Sequence, residues 1–434
     1  MGKRYDSLKI NEKEIYMLFY KALKSKKTEI TIANIKIVGV SLIHILIDVL
    51  RDFPEIDYVK YDLEVNKGLI NTKVVFCYKT GTTNTEKIIP TVIKKTAPTP
   101  APNHNNYRLT SADRFYYFST LNDEEKIAYQ TLLTAFRNFD KICYVKRSGF
   151  SFDRLFNIFI GVLEDNPSVF YVDNKLNCNY NNQYFIVKIA YSIKKSEAEE
   201  YAERITQFLK KYFSKYITGY SEYQKALIIH DSIVKNMQYK DDKKSIRHNI
   251  IGPIFEKTGV CEGFSELAKL IGDYIGVNVQ CIYSDDDGSE AGHMWNLVKI
   301  NGDWYHMDIT YDLCKNDVIK IAHQYFLITD EFCSKDHTWD RNIYPVCSST
   351  EYNYYEKEGL IFTDKHSLKT YISQSIKNKK YETEFRYLGK KITMDEISAM
   401  ALSTNFSLLK PLDSIAYSYY IGDFSIYLIK WIIK

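Results

Sequence analysis

Asn301-Gly302 is the feature that most constrains this chain. It separates two runs rich in β-branched and aromatic residues, 293–300 and 303–309. An Asn-Gly pair between strand-like runs predicts a two-residue type I′ hairpin turn, because both residues accept the positive φ that this turn demands. A two-residue loop also fixes register. Ile300 then faces Asp303, Leu297 faces His306, Trp295 faces Asp308 and His293 faces Thr310. His293 and Asp308 share one face of the hairpin as diagonal neighbours, with Cβ atoms about 7–8 Å apart or somewhat less. An imidazole and a carboxylate bridge such a gap. Asn296 and Met307 fall on the other face. A slip of one residue would separate His293 from Asp308, so the pairing depends on the register.

Upstream, Gly259-Val260-Cys261 opens a helical pattern. Phe264, Leu267, Ile271 and Tyr274 form one apolar stripe, and Gly276 supplies the stop. Cys261 therefore sits in or just before the first turn of a helix. The positive end of the helix dipole favours a thiolate there, and the free N–H groups of the turn can cradle an oxyanion. An isolated cysteine in such a place is ordinarily a small buried core residue. A thiol, an imidazole and a carboxylate in one chain are the parts of a nucleophilic cysteine site, and that combination makes Cys261, His293 and Asp308 the candidate catalytic residues. Trp295 and His306 lie on the same face. They are candidates for substrate contact or for support behind the three, and a half-buried packing role would suit either.

The three segments resemble the transglutaminase-like superfamily of papain-like cysteine enzymes. The resemblance rests on Gly259-Val260-Cys261-Glu262-Gly263-Phe264, on His293-Met294-Trp295-Asn296, and on Asp308-Ile309-Thr310-Tyr311-Asp312. It extends to His230-Asp231-Ser232-Ile233-Val234-Lys235-Asn236, to Tyr325-Phe326-Leu327 and to Asp336-His337-Thr338-Trp339-Asp340, as in bacterial multidomain members, and covers roughly residues 220–350. Phe264 departs from the Tyr often found at its position in bacterial relatives. The resemblance implies an α+β, papain-like core in which a helix bearing the nucleophile packs on an antiparallel sheet. It implies that Cys261 is the nucleophile, His293 the general base and acid, and Asp308 the residue that orients the imidazole. The expected activity is acyl transfer from protein or peptide amides through a thioester, hydrolytic before crosslinking. No cofactor or metal is expected. The alternative is a protein-binding scaffold that keeps the fold without physiological catalysis.

The chain has 434 residues, enough for two to four domains. A net charge of +4 with no long Lys/Arg block gives no sign of a nucleic-acid partner. No apolar run is long enough to span a membrane, and Met1-Gly2-Lys3-Arg4 does not begin a signal peptide, so the default expectation is the cytoplasm, or secretion if a leader is missing. The eight cysteines are scattered without a Cys-x-x-Cys pair, which suits reduced thiols. The sequence does not indicate the oligomeric state.

The N-terminal half repeats itself at a constant offset. Leu50-Arg51-Asp52-Phe53-Pro54 aligns with Leu163-Glu164-Asp165-Asn166-Pro167, Tyr16 with Tyr129, Ala22 with Ala135 and Tyr78 with Tyr191. The expected layout is a first α/β unit at 1–92, a Pro-rich linker at 93–112, a second unit with a connecting helix at 113–215, the catalytic core at 216–350 and a small α/β domain at 351–434. The repeat units carry no Cys/His/Asp set and are read as binding or packing modules. Asp285-Asp286-Asp287-Gly288 fails the EF-hand register, because Tyr283 would hold the first ligand position. Cys314, His323, Cys333, His337 and Cys347 match no standard zinc spacing.

Overall fold

The structure is a computed structural model. It describes residues 10–36, 45, 49, 52–53, 56–66, 69–78, 115–147, 149–180, 183–242, 244–284, 292–314, 319–380, 382–390, 392–403, 417–421 and 425–430. The acidic loop at 285–290, the Pro-rich linker and the turn at 422–424 lie outside these residues. The chain divides into two compact units, Met1–Glu203 with Asp286–Gly292, and Arg204–Asp285 with His293–Lys434.

The first unit is built on an antiparallel sheet. Its strands are β1 (Glu29–Lys36), β2 (Ile56–Asn66), β3 (Leu69–Tyr78), β4 (Ile142–Lys146), β5 (Asn177–Tyr180) and β6 (Tyr184–Lys188), in the order β1-β3-β2-β5-β6-β4. The order is symmetric about the β2–β5 pair, where Tyr61 lies opposite Cys178. Helices run over Ile10–Lys24, Asp123–Asn138 and Phe152–Asp165. The second of these starts with a capping box, in which Asn122 and Glu125 each accept the other's backbone N–H. One hydrogen bond occurs at two places that the sequence repeat aligns: Tyr16 donates to Asp52 at 3.5 Å, and Tyr129 donates to Asp165 at 3.1 Å.

The second unit holds the candidate site. Helix Glu222–Asn236 is followed by β7 (Gln238–Tyr239) and β8 (Thr258–Gly259), a short parallel pair. Next come helix Cys261–Ile275 and an antiparallel sheet of β9 (Asn278–Tyr283), β10 (Met294–Ile300), β11 (Asp303–Met307) and β12 (Phe326–Ile328), in the order β12-β11-β10-β9. The Cys261 helix packs on β9 and β10. Phe264, Leu267 and Ile271 of the apolar stripe are fully buried, and Gly276 ends the helix in the left-handed conformation at φ +86°. Asn296 fastens the helix to the sheet, since its buried amide donates to the carbonyls of Ser265 and Gln280 at 3.0 and 3.2 Å. The rest of the unit is a second sheet of β13 (Ile361–Phe362), β14 (Glu382–Tyr387), β15 (Tyr417–Ile421) and β16 (Ile426–Lys430), with helices Lys365–Lys377 and Met394–Leu402. Its core takes in Ile319 and Ala322 from the preceding region.

The hairpin has the expected register: Ile300 pairs with Asp303 and Leu297 with His306. Asn301 and Gly302 both have positive φ, at 49° and 102°. One expectation fails. The second strand ends at Met307 rather than Ile309, and Ile309–Leu313 is a short helix capped by the Asp308 side chain, which accepts the Tyr311 N–H. The β-branched pair Ile309-Thr310 reads as strand locally, but a capping aspartate before them turns the chain into a helix.

The first turn of the Cys261 helix is wedged against the preceding loop. A Cβ on Gly263 would meet the Arg247 carbonyl oxygen at 2.5 Å and that of Asn249 at 3.0 Å. Arg247 is itself buried and paired with Asp242 at 3.1 Å and Glu256 at 2.6 Å, so that backbone does not readily give way. Gly263→Ala is expected to lower stability by about 1–3 kcal/mol, the usual cost of overpacking. Denaturant unfolding checks this, and an unchanged midpoint would show that the wedge is looser than described.

Candidate functional site

Cys261 is the first residue of its helix. Val260, the N-cap, offers no side-chain cap, so no capping side chain competes for the N–H groups of the first turn. The thiol is partly exposed. It lies close enough to the His293 ring to help raise that ring's pKa. His293 stands just before β10, its N–H held by Ser284 Oγ at 2.8 Å. Its Nε2 meets Oδ2 of Asp308 at 2.6 Å, which leaves Nδ1 for the thiol. The structure therefore brings Cys261, His293 and Asp308 together in that order.

Asp308 is buried, and an unpaired carboxylate there would cost several kcal/mol. It is not unpaired. Oδ2 also meets Nε2 of His337 at 2.9 Å, and Oδ1 accepts the Tyr311 N–H at 3.0 Å. Burial would raise its pKa, but the two imidazoles outweigh burial and hold it well below the usual carboxylate range. For His293, burial disfavours the charged ring. Asp308 and then Cys261 prevail, and its pKa is pushed up to about 9. An imidazolium beside the thiol is the state that a thiolate nucleophile requires.

Trp295 and His306 stand behind the imidazole. Trp295 is buried, and its ring stacks on His293 with centroids 5.6 Å apart. Its indole N–H donates to His306 Nδ1 at 3.0 Å, and His306 Nε2 meets Asp330 at 2.8 Å. A ring that accepts at Nδ1 and donates at Nε2 is neutral, in keeping with burial lowering its pKa. The Trp295 N–H is thus committed away from the thiol. At the rim, His248 pairs with Glu262, the residue after Cys261.

Two side chains joined to this site were not singled out by sequence spacing. His337 shares the carboxylate of Asp308, and Asp312 receives His230 Nε2 at 3.1 Å and the Tyr325 N–H at 3.0 Å. From Asp312 a polar chain continues: His230 Nδ1 meets Asp231 at 3.0 Å, Asp231 meets His323 Nε2 at 2.9 Å, and His323 Nδ1 meets Glu384 of β14 at 2.5 Å. Potential metal ligands lie within 4.8 Å of one another in His230/Asp231/His323, in His293/Asp308/His337 and in His306/Asp330/Cys347. Both nitrogens of His230, His323, His306 and His337 are already engaged in the hydrogen bonds described here, so these rings have no lone pair directed at an ion.

Residues 211–309 match the model of the Transglutaminase-like superfamily. Two solved structures have local similarity. One is a TGase crystal structure at 12% identity and TM-score 0.23, covering 31% of this chain and 43% of the other. The second, named "Putative Cysteine Protease" and from Cytophaga hutchinsonii, has 14% identity and TM-score 0.21, covering 30% of this chain and 52% of the other. The chain thus spans about half or less of the length of these structures. No curated protein sequence matches it significantly. Among the described residues, no helix is long and apolar enough to cross a membrane.

The polar chain makes a pH prediction. Burial lowers the His323 pKa, but Glu384 and Asp231 more than offset it, and the ring is pushed up to about 10 from an ordinary 6.5. A histidine raised in the folded state stabilises fully below its unfolded value and loses that contribution as pH rises through the folded one. His323→Gln is expected to lower stability at pH 6 by roughly 3–5 kcal/mol, the cost of breaking a buried pair. The deficit should shrink between pH 6.5 and about 10. Unfolding curves across that range check it, and a deficit independent of pH would mean that the ring contributes packing alone.

Proposed function

From a chain whose residues 211–309 match the model of the Transglutaminase-like superfamily, we propose a cysteine-dependent acyl-transfer enzyme acting on peptide or protein amides, hydrolytic rather than crosslinking. One observation carries the reading: a partly exposed thiol at an uncapped helix N-terminus, beside an imidazole whose Nε2 is held by a buried carboxylate. The resemblance to bacterial members is the support for putting hydrolysis before crosslinking.

The chemistry follows from that geometry. The Cys261 sulfur attacks the amide carbonyl carbon, and the electron pair moves to the carbonyl oxygen, where the N–H groups of the first helical turn stabilise it. His293 gives its proton to the amide nitrogen, the C–N bond breaks and the amine leaves. The acyl group remains on sulfur as a thioester. Neutral His293 then takes a proton from water, the hydroxide attacks the thioester, and the C–S bond breaks to release the acid. Asp308 keeps the ring oriented with Nδ1 toward sulfur throughout. Trp295 and His306 act as the stacked wall that fixes the plane of the ring.

For the first unit we infer a duplicated binding or packing module. The symmetric strand order and the repeated Tyr–Asp hydrogen bond support the duplication.

The test is an assay of wild type and Cys261→Ala on mixed peptides, with and without a labelled primary amine. New peptide termini without amine incorporation are expected, and Cys261→Ala should abolish them. Asp308→Asn should lower kcat by roughly 10⁴-fold, the effect seen when an orienting carboxylate is neutralised. Amine incorporation at the expense of cleavage would make the enzyme a transferase. Equal turnover by Cys261→Ala would overturn the assignment.

A further inference from the structure

Asp308 serves two imidazoles, and only one of them faces the thiol. His337 is buried just after the short helix Asp330–Cys333. Its Nε2 meets Asp308 Oδ2 at 2.9 Å and its Nδ1 meets Asp336 Oδ1 at 2.6 Å. The other oxygen of Asp336 accepts the Tyr325 hydroxyl, and the His337 N–H donates to the Cys333 carbonyl at 3.0 Å. A ring with a carboxylate at each nitrogen donates from both and carries a proton on each. Burial alone would lower its pKa, but Asp308 and Asp336 raise it to about 10.

We propose that His337 is a positioning residue for the reaction: its imidazolium, anchored by Asp336, holds the Asp308 carboxylate in place and limits how tightly Asp308 retains the proton of His293. This rests on the reading of Cys261 and His293 as the reacting pair. A buried carboxylate 2.6 Å from His293, with no other cation near it, would bind the imidazolium so strongly that the ring would be a poor acid toward a leaving amine. A second cation on the same oxygen offsets part of that pull. The groups facing His337 are few. His306 is neutral, as its contact with the Trp295 N–H requires. Tyr311 and Tyr325, with ring centroids 4.6 and 5.5 Å away, stay protonated because burial pushes both phenols up. The charge balance at His337 is therefore set by Asp308, Asp336 and His293. In sequence, His337 stands in the Asp336-His337-Thr338-Trp339-Asp340 segment and in a set of residues that fits no zinc spacing, with nothing to show which carboxylate it would meet.

The test is the pH profile of Cys261 alkylation by iodoacetate, followed by mass spectrometry in the full-length chain. The rate should fall on the alkaline side as His293 loses its proton. His337→Gln keeps an amide donor near Asp308 but removes the charge. It should move the alkaline limb upward by about one pH unit, the effect of removing one nearby charge. Asp336→Asn weakens the anchor at a partly exposed position and should move the limb the same way by less. If His337→Gln does not fold, Asp336→Asn alone decides. Folded variants that keep the wild-type limb would overturn the proposal and leave the reacting pair intact. A wild-type profile without an alkaline limb would instead overturn the reacting pair, and this proposal with it.

Discussion

The buried carboxylate of Asp308 is the interaction on which the rest of the site depends. A lone anion there would be costly, so three donors converge on it from three parts of the chain. His293 comes from the start of β10, Tyr311 from the helix that Asp308 caps, and His337 from the stretch after helix Asp330–Cys333. Each donor is also placed by that contact. The imidazole of His293 is turned so that Nδ1 is left for sulfur, the chain leaves β11 to become a helix, and the His337 ring is held against Trp295. The cost of burying the charge and the geometry of the site are thus one problem with one solution.

A second polar chain runs from Asp312 through His230, Asp231 and His323 to Glu384. Asp312 lies four residues after Asp308 and also holds the Tyr325 N–H, so the two networks share the same short helix. Burial raises the Asp312 pKa to about 6, whereas the carboxylates around His323 raise that ring to about 10. The sheet of β13 to β16 is therefore fastened through Glu384 by charge as well as by the apolar cluster that includes Ile319 and Ala322.

Much of this was legible in the sequence, for local reasons. Asn301-Gly302 specified the turn and with it the register of β10 and β11, and Gly276 specified the end of the Cys261 helix. What was not legible depended on partners far along the chain. Ile309 and Thr310 have strand-forming side chains, and only the capping role of Asp308 makes them helical. Trp295 lies on the expected face, but its N–H goes to His306 behind the site rather than toward the thiol. The contact between His337 and Asp308 joins segments 29 residues apart, a separation at which no periodicity carries information. Likewise, the helix and hairpin patterns of the first unit gave no indication that β2 pairs with β5.

The most direct measurement of the central claim is the site of acylation by a small reactive ester, read by mass spectrometry after acid quenching. Cys314 is the internal control, because it is exposed whereas Cys261 is only partly so. If the imidazole held by Asp308 activates Cys261, the acyl group should be found on Cys261 in preference to Cys314, and His293→Ala should erase the preference. Acylation that favours Cys314, following exposure alone, would contradict the account.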